Sequence, residues 1–365
     1  MKKLNKNSLD GFINYGIVIV AFAVIQTAVG MGKMSNILQS LLVPACCYIV
    51  MAVSLNLTVG ILGELSLGHA GFMSLGAFAG ITASVLLQSA IPVGPLRLAV
   101  SMLVGAAFGA LGGVIVGVPV LRLQGDYLAI VTLAFGQIIQ NIIMVLYVGV
   151  DENGFHMAAG SEQFHLSAGG TAIIKGPMGA VGVTKLASFT AGFVLILITL
   201  LVVQNLVNSR SGRAIMALRD NRIAAESVGI NVTKYKLMAF VTSAALAGAA
   251  GALFGLNYSS TVSSKFGFNT SILILVFVVL GGLGSIRGSI ISAALLYILP
   301  EMLRGFEFIT KARMLIYAII LIAVMLTINN PALKSLLGER ELSLAGLLDK
   351  LKSGGKSKEK GGAGQ

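Results

Sequence analysis

Apolar blocks dominate the chain, and each is close to the length that a bilayer requires of a helix. A membrane-spanning helix needs about 20 residues. None of the blocks shows the period-two alternation of a membrane barrel strand. Backbone polar groups in lipid must be paired within a helix or a closed barrel, so the pattern predicts an all-α, polytopic membrane helix bundle. About ten spans are predicted: 12–32, 36–60, 67–89, 98–120, 127–149, 187–208, 236–258, 269–284, 286–303 and 313–330.

Composition supports a membrane protein and explains the net charge. Of the 365 residues, 56% are hydrophobic and 11% are charged, whereas roughly a quarter of a soluble domain is charged. The net charge of +12 comes from the N-terminal segment, one connection and the C-terminal tail. Positive residues gather at the cytoplasmic ends of membrane spans. The membrane topology therefore explains the positive net charge, and no nucleic-acid partner is predicted.

The same charge distribution predicts the orientation and the domain organisation. The N-terminal segment 1–11 and the connection 209–235 are basic and are expected to be cytoplasmic, whereas the loop 150–186 is not basic and is expected outside. The tail 331–365 has seven Lys or Arg against four acidic residues. It is expected to be cytoplasmic and disordered at its end. The transmembrane domain between these segments is predicted to be 12–330, with both termini inside.

Two glycine-rich segments are predicted to interrupt the helices. The first, "GILGELSLGHAG", covers 60–71, and the second lies within "VVLGGLGSIRGSII" at 278–291. We expect two short spans or one re-entrant pair around the second interruption rather than one long helix, because either arrangement keeps the basic tail inside. The two interruptions share a similar spacing of Ser and Gly, which is a weak sign of an internal repeat.

Helix breaks inside a membrane expose unpaired backbone groups and helix dipoles, so a translocation path is expected beside them. Polar residues within a span are also expected to face inward. Two interpretations of Glu64 and His69 remain open: they line a gate, or Glu64 lies at the cytoplasmic mouth while His69 ties the broken helix to a neighbour. The path candidates are Ser66, Gly68, His69, Gln137, Gln140, Asn141, Gly282 and Gly284.

Glycines repeat every fourth residue in two of the predicted spans. Small residues at this spacing allow close helix packing in lipid, so they predict a crowded bundle, within one chain or across a subunit interface. The stripes are Gly105, Gly109, Gly113 and Gly117, and Gly251 and Gly255.

The connection 209–235 is predicted to form two short helices. Ser211 is expected to cap a helix from Gly212 to Arg219, and Asp220 or Asn221 to cap a second helix that stops at Gly229. The two helices would share an exposed apolar face that inserts into a groove on a partner. That face comprises Ile215, Met216, Leu218, Ile223 and Val228.

Four stretches resemble, in the same order, motifs of the permease subunits of branched-chain amino acid ABC importers. They are "LSLGHAGF" at 65–72, "GDYLAIVTLAFGQI" at 125–138, "ALRDNRIAAESVGIN" at 217–231 and "VVLGGLGSIRG" at 278–288. The resemblance covers about residues 40–330 and is to the LivM type of the two paired permeases. One departure is that Ala225-Glu226 reverses the Glu-Ala-Ala order of the general importer motif.

The resemblance implies that the connection docks into a cytoplasmic ATPase. The residues expected to couple the two proteins are Arg219, Asp220, Arg222, Ala224, Ala225, Glu226 and Gly229. It also implies a bacterial plasma (inner) membrane location and four kinds of partner: the lipid bilayer, a second homologous permease subunit, two cytoplasmic ATPase subunits and an extracytoplasmic solute-binding protein that delivers leucine, isoleucine or valine.

The chain carries no signature of an enzyme of its own. No motif predicts a catalytic site, a metal or a resident cofactor, so ATP hydrolysis is expected on partner chains. Two alternatives remain open at this point. The solute of an ABC permease could instead be urea, a short amide or a sugar, and an ATP-independent secondary transporter or channel would also explain broken helices. A secondary transporter or channel would not need the two-helix connection.

Overall fold

Apolar helices form most of the computed structural model, which describes residues 6–32, 34–121, 123, 125–151, 154–167, 170–302, 319 and 322. A π-helical turn, Leu57–Leu62, directly continues the second helix. The α-helices in these ranges are α1 Lys6–Gly30, α2 Asn36–Asn56, α3 His69–Leu86, α4 Gly94–Val120, α5 Asp126–Val145, α6 Phe189–Asn208, α7 Arg210–Asp220, α8 Arg222–Ser227, α9 Val232–Gly255, α10 Phe268–Gly281 and α11 Ile286–Met302.

The structure confirms that the protein is a polytopic helical membrane protein. Within the described ranges, 7 helices are long and apolar enough to cross a membrane, and two shorter apolar segments, Asn14–Gly30 and Ile286–Pro300, accompany them. These helices coincide with the first nine predicted spans. The tenth predicted span, 313–330, and the tail 331–365 lie outside the described ranges, apart from residues 319 and 322.

The predicted interruption between the eighth and ninth spans is confirmed. Helix α10 ends at Gly281, α11 begins at Ile286, and Gly282 and Gly284 between them have φ of +91° and +82°. Side chains on a Cβ rarely adopt such positive φ angles. A single long helix is therefore absent from this part of the chain.

Helices α3, α4 and α9 pack closely through small residues, which include Gly105 and Gly109 of the predicted stripe in α4 together with Gly76 and Gly248. A Cβ placed on Gly76 of α3 would lie 2.0 Å from the carbonyl oxygen of Gly248 in α9, and one on Gly248 would lie 2.2 Å from that of Gly105 in α4. A Cβ on Gly109 would lie 2.4 Å from the carbonyl oxygen of Ala244. The stripes therefore serve packing within one chain, and they bring three backbones together as small residues do in membrane bundles.

The all-α prediction is wrong for the segment after α5, which forms an antiparallel sheet with two residues that follow α9. Its five strands lie in the order β2-β1-β3-β4-β5, and β1 pairs with β2 in the register Val148↔Met157. Strand β1 begins at the residue that follows α5, so the predicted span 127–149 extends four residues beyond the end of the helix. The strands are β1 Leu146–Asp151, β2 Gly154–Ala159, β3 Thr171–Lys175, β4 Ala180–Val181 and β5 Ser260–Thr261.

The sheet and the short helices α7 and α8 lie at opposite ends of the bundle. Helix α6 has 20 residues and is therefore about 30 Å long. It leads from the segment that contains the sheet to α7. We call the end that carries the strands the sheet end, and the end that carries α7 and α8 the loop end.

Candidate coupling and translocation site

The first helix break follows the π-helical turn at the loop end. Gly63 has φ of +82°, and the backbone N–H of Glu64 donates to the carbonyl of Thr58 at 3.0 Å. The chain then runs without regular structure until α3 begins at His69. Glycine commonly ends a helix in this left-handed conformation, and π-helical turns occur frequently at functional sites.

The second break lies directly against the first. The backbone N–H of Gly284 donates to Oδ1 of Asn56 at 2.8 Å, and a Cβ on Gly60 would lie 2.2 Å from that same nitrogen. Asn56 is fully buried. Two interruptions that are more than 200 residues apart in the sequence therefore form one junction, which contains the path candidates Gly282 and Gly284.

Glu64 forms an ion pair with Lys236 of α9. The ammonium of Lys236 donates to Oε1 of Glu64, and the two side chains are 5% and 14% exposed. The pair ties the first break to the central helix α9. Sequence reasoning missed Lys236 as a site residue. Lys236 lies at the start of an apolar span, where an ionisable group requires a partner. This position could have indicated its role in the site.

His69 lies inside the protein, where it joins α3 to α2. It is 2% exposed, and its Nε2 lies 2.8 Å from Oγ of Ser54. The Ser54 hydroxyl donates to the carbonyl of Met51 at 2.9 Å, so Nε2–H is assigned as the donor to Ser54. The carbonyl of Ser54 in turn accepts from the hydroxyl of Ser243 in α9. The contacts of His69 are those of the structural interpretation.

We expect His69→Gln to keep most of the transport activity and His69→Leu to lose it. A glutamine amide still reaches the Ser54 hydroxyl, whereas leucine removes the buried hydrogen bond that joins α3 to α2, and such a bond contributes about 0.5–1.5 kcal/mol. Uptake of radiolabelled solute by vesicles, normalised to the amount of folded protein, measures both variants. Near-normal uptake by the leucine variant would exclude His69 from the mechanism.

Helix α5 contacts and stabilises the rest of the first break. The backbone N–H of Leu67 donates to Oγ1 of Thr132 at 3.1 Å, and a Cβ on Gly68 would lie 2.1 Å from the carbonyl oxygen of Thr132. Ser66 is buried, and its hydroxyl has no hydrogen bond. Gly68 is thus required for close approach, and Thr132 is a second residue of the site that is absent from the predicted candidates.

The three path candidates of α5 lie beyond Thr132 along the same helix. Gln137 and Gln140 are half-buried, and Asn141 is exposed. The amide of Gln140 approaches Gly267, just before α10 and far from the second break; a Cβ on that glycine would lie 3.2 Å from Oε1. The path candidates therefore form two groups, one at the junction of the breaks and one along α5.

Two short helices form the loop-end connection, with one cap two residues from its predicted place. Ser209 caps α7, because its hydroxyl accepts from the backbone N–H of Gly212 at 3.1 Å; the prediction of Ser211 was wrong. Asn221 caps α8 through the backbone N–H of Ala224 at 3.0 Å, as one of the two predicted options. Gly229 follows α8 with φ of +85°.

The predicted apolar face of these helices is only partly exposed. Ile215 is fully buried, and Leu218 packs with Ala225 and Val232 in a small core. Ile223 and Val228 are 80% and 75% exposed, and Met216 is half-buried. The prediction was therefore wrong for Ile215 and Leu218, because the face that they share covers the bundle itself.

The charged candidates in the connection differ in their surroundings. The guanidinium of Arg219 donates to the carbonyl of Gly60 at 3.3 Å and pairs with Asp220 at 2.9 Å. Arg222 is half-buried, and one of its terminal nitrogens has no hydrogen bond. Ala224 and Glu226 are exposed. Arg219 is thus the direct contact between the connection and the first helix break.

The fold and the site define a polytopic helical membrane protein whose broken helices meet a two-helix connection at one end. The family model described as "Branched-chain amino acid transport system / permease component" matches residues 37–325. The chain therefore belongs to this family of permease components.

Individual relatives are similar over most of the chain. The permease protein LivM of the high-affinity branched-chain amino acid transport system is 35% identical over 271 residues in Salmonella typhimurium and 33% over 274 residues in Escherichia coli. Each alignment covers 71% of this chain but only 62% of the relative. The fructose import permease protein FruG of Bifidobacterium longum is 25% identical over 298 residues, 80% of each chain. No solved structure matches the chain.

Proposed function

We propose that the chain is a transmembrane permease subunit of an ABC importer for branched-chain amino acids. The observation that carries this proposal is the family match over residues 37–325. In the proposed orientation the loop end is cytoplasmic, the sheet end is extracytoplasmic and both termini are inside. The membrane is the plasma (inner) membrane of a bacterium, and the complete bundle has about ten spans.

The arrangement of the loop end supports coupling to an ATPase. An apolar docking surface is formed by the exposed residues of α8 and its C-terminal turn. It includes Ile223 and Val228 and carries the negative charge of Glu226. Amphipathic helices commonly bind in such a way to a groove on a partner. Ala225 has a structural role instead, since it is buried in the chain's own core. Movement of α7 would reach the first helix break through the bond between Arg219 and Gly60.

The proposal includes partners that this chain does not supply. Two cytoplasmic ATPase subunits hydrolyse ATP, a second homologous permease subunit completes the path, and an extracytoplasmic solute-binding protein delivers the amino acid at the sheet end. The chain itself is a transport subunit and not an enzyme.

Gly229→Asp is expected to abolish ATP-dependent uptake without unfolding the protein. The change places a charge beside the exposed α8 surface at a glycine with φ of +85°, and an unpaired charge that becomes buried at an interface opposes binding. Leucine uptake by vesicles that contain the assembled transporter is measured with and without ATP.

The matched control for this experiment is Gly32→Asp. Gly32 also has a positive φ, +67°, and a Cβ there likewise meets nothing within 4 Å, but it lies at the opposite end of the bundle. Uptake that persists without the ATPase subunits would instead support a secondary transporter or channel. Equal activity of both variants would contradict docking at Gly229.

A sugar is the second candidate solute. The observation that favours it is the similarity to the fructose permease over 80% of the chain, although the identity is lower than that to the LivM proteins. Binding of leucine, fructose, urea and short amides to the partner solute-binding protein, measured by calorimetry, distinguishes these solutes.

A further inference from the structure

Residues on both sides of α8 contact the first helix break. Before α8, the guanidinium of Arg219 donates to the carbonyl of Gly60 at 3.3 Å. After α8, the ammonium of Lys236 donates to the carboxylate of Glu64. Two cations that α8 separates in the sequence therefore bind the two ends of one short segment of the break. We call this segment, residues 60–64, the clamped segment.

A small core joins both cations to α8. Leu218 of α7, Ala225 of α8 and Val232 of α9 are buried against one another. Leu218 directly precedes Arg219, and Val232 lies one helical turn before Lys236. Packed side chains resist compression and transmit displacement, so a displacement of α8 would act on the clamped segment at both ends. One contact would let the segment pivot, whereas two contacts also fix its direction.

The other side of the first break is anchored to a different helix. The backbone N–H of Leu67 donates to Oγ1 of Thr132 in α5 at 3.1 Å, and Gly68 packs against the carbonyl of the same threonine. This arrangement leaves Leu65 and Ser66 between the two anchors, in a stretch with neither helix nor strand. Hinges consist of a few such residues in loops or at the ends of regular elements.

Ser66 has a property expected at a place where two conformations differ. The residue is 2% exposed, and its hydroxyl has no hydrogen bond among the described residues. Buried polar groups are nearly always paired, so an unpaired one requires an explanation. A rearrangement of the break that brings this hydroxyl to a partner or to water provides one.

We propose that Arg219 and Lys236 form a two-point clamp, which moves the clamped segment with α8 and opens the first break at Ser66. This role rests on the function proposed above, in which α8 docks against an ATPase. Gly60 also packs against Gly284 of the second break, so the same movement reaches both interruptions. The two cations are positioning residues, because they act on the path through the break and require no contact with the solute.

Arg219→Met and the double variant Glu64→Leu/Lys236→Met test the clamp from its two ends. Both charges are removed in the double variant, because Lys236→Met alone leaves a buried charge unpaired. ATP hydrolysis by the assembled transporter should persist, whereas the leucine transported per ATP should fall about fivefold or more, since coupling between sites is typically about 5–150-fold. The melting temperature of Arg219→Met should stay near that of the wild type, because this side chain is 40% exposed and exposed ion pairs contribute little.

The matched controls remove cations of the same elements that have other contacts. Arg213 is an exposed residue of α7, and its guanidinium donates to the carbonyl of Asn208 at 3.4 Å. Lys234 is an exposed residue in the first turn of α9, and its ammonium lies 5.9 Å from the centroid of the Tyr235 ring. Arg213→Met and Lys234→Met should both transport as much leucine per ATP as the wild type.

Labelling at position 66 measures the movement without transport. Ser66→Cys is introduced into a chain whose buried Cys46 and Cys47 are replaced with alanine, and a water-soluble maleimide is added with and without a non-hydrolysable ATP analogue. The labelling rate of this chain, followed by mass spectrometry, should differ about fivefold or more between the two conditions. Addition of Arg219→Met should abolish the difference, whereas addition of Arg213→Met should preserve it.

Several results would overturn the clamp. They are a wild-type amount of leucine per ATP in Arg219→Met or in the double variant, an equal loss in Arg213→Met, no change in labelling at position 66, or a change that persists with Arg219→Met. A wild-type transporter without ATP-driven leucine uptake is a different result. It would contradict the proposed function, and the role of the clamp with it.

Discussion

Replacing Lys236 with methionine is expected to destabilise the protein by about 3–5 kcal/mol, because it leaves the carboxylate of Glu64 buried without its partner. The two side chains are 5% and 14% exposed, so water compensates little of the lost interaction. The pair also anchors the first helix break to α9, and uptake should fall with stability. Unfolding in increasing denaturant, followed through labelling of the buried thiols of Cys46 and Cys47, measures the change.

Removing both charges should restore most of the stability that Lys236→Met loses. The double variant Glu64→Leu/Lys236→Met replaces a buried ion pair with apolar side chains of similar volume, which is often neutral for stability. The exposed pair of Arg219 and Asp220, whose side chains are 40% and 66% exposed, provides the control: Asp220→Asn should change stability little. A double variant as unstable as the single variant would show that the ion pair is not what stabilises this position.

Gly76→Ala is expected to have a comparably large effect, because the added Cβ meets backbone and not a movable side chain. It would lie 2.0 Å from the carbonyl oxygen and 2.3 Å from the Cα of Gly248, so α3 and α9 would have to separate. Overpacking commonly costs about 1–3 kcal/mol and occasionally more. We expect a cost of at least about 3 kcal/mol here, with a matching loss of folded protein after purification in detergent.

Gly16→Ala adds the same atom where there is room for it. Gly16 lies within α1, and a Cβ there meets nothing within 4 Å. Alanine is the better helix former by about 1 kcal/mol, so this variant should be as stable as wild type or slightly more stable. Equal behaviour of the two alanine variants would mean that α3 and α9 are less closely packed than described.

Local sequence signals predicted the helices well where a single physical requirement controls them. Apolar length fixed the spans, and a glycine with positive φ marks an end of each break, at Gly63 and at Gly282. The small sheet was not predicted, since β4 and β5 have two residues each and pair across about 80 residues of chain. No local alternation of hydrophobic residues can be read from β4 and β5, and the start of β1 continues the apolar block of α5, so it was included in the predicted span 127–149.

The candidate site was predicted in part for the same reason. His69, Glu64 and the glycines of both breaks stood out because polar or flexible residues are unusual in apolar spans. Their partners did not, since Ser54, Asn56 and Lys236 approach them only after the helices pack. The sequence also could not distinguish the exposed Ile223 from the buried Ile215, because both fit an amphipathic helix.

The sequence by itself therefore determined the class of the protein, the number and approximate limits of the described helices, and the family to which the chain belongs. These properties depend on hydrophobic length, charge bias and short motifs, which act locally along the chain. Only the tertiary structure decided that the two helix breaks touch, that Arg219 contacts the first of them, and that Lys236 pairs with Glu64. Those facts depend on which helices are neighbours, and helix packing joins residues that local chemistry cannot relate.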